Sequence, residues 1–147
     1  MTRDIHNPGP AARRGNVTLE MTLVLGLLLS LTFGAVEFGH FYFVKNTLQG
    51  AAREGARAAI PAGATNADVL SAVNNSLNAA GFDLAKYSIK IRNAADTADV
   101  NVATQPEGVG ILVRVTGTWG TVGLRPMGMI NPATVVKGAT VMRKEST

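Results

Sequence analysis

The chain predicts an α+β protein in which a long N-terminal transmembrane and stalk α-helix packs against a small C-terminal antiparallel β-sheet with one additional helix. Three observations carry that expectation. Residues 21–36, MTLVLGLLLSLTFGAV, pass without a charge, and FGHFYFV after Glu37 continues the apolar run. No helix-breaking signal follows until Pro61 and Gly63. Beyond them, short segments alternate apolar and polar residues between glycines and prolines, as half-buried strands do.

Composition narrows the functional classes. Apolar residues make up 46% of the 147, but they concentrate near the N-terminus, so the polar remainder can bury only a small core. Cysteine is absent, which excludes disulfides, thiolate nucleophiles and cysteine-ligated metals. The net charge is +4. Arg3, Arg13 and Arg14 against Asp4 place much of that excess before the apolar run, and the rest is close to balanced, so no nucleic-acid partner is expected.

The first element is expected to be one helix from about Val17 to Ile60. At ~1.5 Å per residue it extends roughly 65 Å, whereas a bilayer core needs about 30 Å. Half of it must therefore project. In that half Phe41, Val44, Leu48, Ala51, Ala52, Gly55 and Ala59 recur at spacings of three and four, with Lys45, Gln49, Arg53 and Arg57 on another face. The small residues of this stripe let a second helix or a sheet approach the backbone closely. A secretory signal peptide also begins with arginines before an apolar stretch, but it would not run on into forty residues of helix-compatible chain. Arg13 and Arg14 hold the N-terminus in the cytoplasm by the positive-inside rule, which places the C-terminal part outside.

The outer part reads as an α+β head. Thr65 followed by Asp68 starts a helix over 66–80 with Val69, Leu70, Val73 and Leu77 as its apolar face, and Gly81 ends it. Strands are expected over 87–92, over 111–119 with Ile111, Val113, Val115, Gly117 and Trp119 on one face, and over 135–142, in a sheet of three or four strands that packs on the amphipathic half of the long helix. Residues 96–110 read as a surface loop with a short edge strand around 100–102. Asp96 and Asp99 suit a turn or a calcium ion. Trp119 suits the core better than an exposed contact.

Two carboxylates in the apolar region are candidate functional residues. Glu20 lies within the first turns of the span, where a lone charge costs on the order of 2 kcal/mol or more. The helix dipole returns about 0.3–1 kcal/mol, so capping accounts for only part of its presence. Glu37, near the outer interface with His40 and Lys45 following it, suits pairing with a neighbour better than a metal or proton-relay site. Catalysis is not expected. His6 and His40 are the only histidines, both outside the head, and there is no nucleophile elbow or phosphate-binding glycine loop. No catalytic, cofactor or metal residues are therefore assigned.

Gly15-Asn16-Val17-Thr18-Leu19-Glu20, after a basic segment and before an apolar helix, resembles the type IV prepilin pattern, in which a leader ends in glycine and glutamate is the fifth mature residue. Asn16 departs from the phenylalanine common at the first mature position of major pilins. Val36-Glu37-Phe38-Gly39, Phe41-Tyr42 and Ala51-Ala52-Arg53-Glu54-Gly55-Ala56-Arg57-Ala58-Ala59 are similar to the N-terminal region of TadE-like proteins of the tight adherence (Tad) pilus system, and Lys137–Arg143 is similar to that family's closing strand. The resemblance implies a pilin or pseudopilin made as a leader (1–15), a membrane and stalk helix (16–60) and an extracytoplasmic head (61–147). Its implied partners are a prepilin peptidase that cuts between Gly15 and Asn16, other pilin or pseudopilin subunits, an inner-membrane assembly platform and the lipid bilayer. The implied location is the bacterial inner membrane and then a surface pilus used in adhesion, with Glu20 and Glu37 serving assembly. A single-pass anchored binding protein that enters no filament shares every feature except the need for Gly15 and Glu20 in register.

Overall fold

A computed structural model describes residues 10–145, with side chains from Val17 onward. Helix α1 spans Pro10–Ala58. It begins seven residues before the expected Val17: a proline at the first helical position sacrifices no hydrogen bond, and Ala-Ala-Arg-Arg after it are strong helix formers. It stops short of Ile60. The Ala59 and Ile60 amides still reach back to Gly55 and Arg57, and Pro61 ends the run.

Helix α2, Asn66–Ala79, carries the expected capping box. The Thr65 hydroxyl accepts from the Asp68 amide, and the Asp68 carboxylate accepts from the Thr65 amide at 2.8 Å. Gly81 at φ +75° turns the chain out, and the Phe82 amide returns to the Leu77 carbonyl. The Thr65 hydroxyl, then its amide, hold the Asp68 carboxyl below the usual carboxylate range. A depressed folded value means that stability is gained above the unfolded-state value and lost as pH falls through the folded one. Two outcomes are expected. Thermal unfolding of the wild-type chain should shift down on acidification below the ordinary Asp range, and the part of that shift due to Asp68 should shrink in Thr65→Ala, which keeps only the amide and itself costs about 1 kcal/mol at neutral pH.

The sheet is an antiparallel meander in the order β1-β2-β3, from Tyr87–Asn93, Gly110–Thr118 and Val135–Arg143. Its inner face sets Ile91 and Thr140 beside Val113, and Ile89 and Gly138 beside Val115. This face lies on α1, whose Val44, Leu48, Ala51, Ala52, Ala56 and Ala59 are buried in one cluster with Val69, Val73 and Leu77 of α2 and with Val113 and Val115. Small residues set the approach. A Cβ on Gly138 would collide with the backbone of Leu48 and Gln49, and one on Gly55 with the Val73 side chain of α2. Gln49 completes the joint: its amide accepts from the Ala139 amide at 3.2 Å and donates to the Ala139 carbonyl at 2.9 Å. It thereby occupies the free edge of β3.

Two expectations in the head are corrected. No strand forms over 100–102, because the Asn66 side chain takes the Val100 carbonyl and the Val102 amide, and the chain turns into a 3₁₀ helix at Val102–Thr104. Trp119 does not end β2. It opens a short helix, α3 (Trp119–Val122), while its amide donates to the Thr134 carbonyl. The indole is fully buried, edge-on to Phe41 with ring centres 5.1 Å apart, as a core residue. Asp96 pairs with Arg92 and Arg114, and Asp99 with Arg92, so arginines of β1 and β2 neutralise the two loop aspartates. Lys144, also buried, donates to the Val102 and Gln105 carbonyls and closes the end of the head.

Candidate functional site

Two places on α1 hold the carboxylates singled out by the sequence. The first lies in the N-terminal half, where Val17, Leu19, Met21, Leu23, Leu25, Leu27 and Leu28 are all exposed. An exposed leucine-rich face of this length is unfavourable in water and suits lipid or neighbouring helices. The segment is long and apolar enough to cross a membrane, and no part of its most apolar window is buried by the head, as a single-pass anchor requires. Its hydroxyls are matched to that solvent: Thr22, Ser30 and Thr32 each donate to the carbonyl four residues back at 2.8 Å.

Glu20 stands exposed on this surface, and no hydrogen bond or ion pair joins it to another described residue. Gly15, Asn16, Arg13 and Arg14 fall within the first turns of α1, but their side chains lie outside the described residues, as does all of 1–9. On so apolar a surface a carboxylate needs a cation or a donor.

The second place is Glu37, which is fully buried. Its partners are backbone amides of the segment between α3 and β3. Oε1 accepts from Ile130 at 2.9 Å and Oε2 from Met127 at 3.2 Å. The Gly128 and Met129 amides also act on it. Gly128 has φ +65°, the left-handed conformation that folds successive N–H groups around one anion. Sequence reasoning expected Glu37 to be an interfacial carboxylate paired with a neighbour, with His40 and Lys45 following it along the helix. His40 lies tilted beside Trp119, with ring centres 5.8 Å apart and Nε2 3.5 Å from the Val122 carbonyl, while Lys45 is exposed. Glu37 thus fastens a distant loop to the helix. Gly34 makes room for it: the Met129 sulfur lies 3.4 Å from where a Gly34 Cβ would be.

The loop was missed as part of the site. Its one sequence signal is the pair of methionines around a glycine in Met127-Gly128-Met129, apolar residues in a turn that should otherwise be polar.

Residues 15–57 match the family described as TadE-like protein, and that match runs from Gly15 almost to the end of α1. It is the family that the N-terminal motifs resemble, and the match covers the helix and none of the head. No curated protein and no solved structure matches the chain.

Proposed function

We propose that this chain is a structural, non-catalytic subunit of a Tad-type pilus. A prepilin peptidase removes residues 1–15, α1 holds the 16–147 chain in the inner membrane with the head outside, and the assembly platform transfers it into, or uses it to prime, a surface filament that serves adhesion. Glu20 carries this reading: an exposed carboxylate without a described partner, at membrane depth, five residues after Gly15 in the segment that matches the TadE-like family. Cleavage before Asn16 creates an amine on the first residue of a chain in which that carboxylate is the fifth. Its own or a neighbouring subunit's amine then supplies the missing cation in the apolar interior of a filament. Arg13 and Arg14 keep the leader on the peptidase's side of the membrane. Glu37 contributes to assembly by holding the surface next to the span in shape. A non-assembling anchored protein would have the same helix but no use for Glu20 in that register.

Gly15→Ala tests the proposal in cells that express the peptidase and the pilus machinery. The variant should keep its leader, remain in the inner membrane and be absent from sheared surface fractions, while a reporter fused after Thr147 stays active outside the cytoplasm. Normal surface recovery of Gly15→Ala would overturn cleavage at Gly15, and a wild-type chain that keeps its leader and stays out of the surface fraction would favour the anchored binding protein.

A further inference from the structure

The segment between α3 and β3 is polar neither in composition nor in placement. Leu124, Met127 and Met129 are exposed, at 53%, 45% and 58% of their surface. They do not point into the head. With Leu27, Leu31, Gly34 and Phe38 of α1, Met127 and Met129 line an apolar groove of about 370 Å³. The loop has folded back along the helix toward its N-terminal half, away from the sheet that it connects.

Its depth follows from the helix. Gly34, which Met129 covers, is thirteen residues beyond Met21, where the uncharged run begins, or about 20 Å along the axis, inside a hydrocarbon core of about 30 Å. The first exposed charge after that run is Lys45. Non-helical backbone at such a depth is excluded unless its amides are satisfied by protein. Glu37 satisfies the amides of Met127 and Ile130, and Pro126 has none. The need is reciprocal, since a carboxylate in the same layer is tolerated only when the loop surrounds it. Arg125, exposed beside the methionines, has the length to bring its guanidinium up to headgroup phosphates.

We propose that residues 124–130 form a foot immersed in the outer leaflet, with lipid acyl chains occupying the groove between Met127, Met129 and α1. This inference rests on the membrane-anchor reading. The apolar surface is continuous with the exposed face of the span, so one solvent covers both. The foot fixes the height and tilt of the head above the bilayer before the subunit is extracted, and its release belongs to the extraction step.

The chain lacks cysteine, so single nitroxide labels can be placed on the full-length protein. Met129→Cys and Leu124→Cys are reconstituted in phosphatidylcholine–phosphatidylglycerol vesicles, with Leu25→Cys as a reference within the uncharged run and Ala95→Cys as an aqueous one, and collision with oxygen and with a water-soluble nickel chelate is measured. The foot requires both loop labels to favour oxygen over nickel several-fold, as Leu25 does, with Ala95 reversed. Loop labels that behave like Ala95 while Leu25 favours oxygen would overturn the foot alone. A Leu25 label that favours nickel would overturn the anchor reading with it. Loop labels shielded from both reagents would show that protein, a second copy of this chain, covers the groove, and would overturn lipid as the occupant.

Discussion

Gly138→Val is expected to break the joint between the sheet and α1 and to lower the thermal unfolding midpoint of the detergent-solubilised chain more than any surface substitution. The atoms in the way are the Leu48 carbonyl group and the Gln49 nitrogen, which belong to helix backbone and cannot rotate aside. Forcing extra methyl groups into a packed contact costs about 1–3 kcal/mol when side chains can yield, and more when they cannot. The strand would have to lift, and Gln49 would lose both bonds to Ala139. Gly50→Ala is the control. Nothing lies within 4 Å of its added Cβ, so this helical position should gain about 0.5–1 kcal/mol. Equal midpoints for the two variants would mean that β3 does not rest on α1.

Glu20→Gln separates the two physical accounts of that carboxylate. If the helix dipole alone retains it, the substitution costs about 0.3–1 kcal/mol and incorporation into pili is unchanged. If it pairs with an N-terminal amine inside an apolar assembly, removing the charge leaves a buried cation unpaired at about 3–5 kcal/mol. The expected result is a many-fold loss of pili and of this subunit from sheared surface fractions, with leader cleavage and membrane insertion intact. Wild-type piliation containing the Glu20→Gln chain would eliminate the assembly role.

Much of this architecture was legible in the sequence because it rests on local chemistry. The apolar run, the small-residue stripe from Val44 to Ala59, the Thr65–Asp68 cap and the alternation in β2 are patterns within one element, and each has its expected partner surface. The residues that tie distant segments together were not legible. Gln49 shares a face with Lys45 and Arg53 and reads as solvent-facing, yet it binds a strand edge ninety residues away. Glu37 reads as an interfacial charge because the amides that surround it carry no side-chain signature. The 100–102 strand failed for the same reason: a single asparagine, Asn66, intercepts the backbone groups that a ladder would have used. Early helix entry at Pro10 did have a signal, the Pro-Ala-Ala-Arg-Arg start, which the more conspicuous apolar run obscured.

The central claim is that a processed chain, with Glu20 fifth from a free amine, enters a surface filament. Intact-mass measurement of the protein recovered from sheared surface filaments tests it most directly. The account expects one species, fifteen residues lighter than the 147-residue chain and beginning at Asn16. A species that retains Met1, or one cut near Pro61, would contradict it.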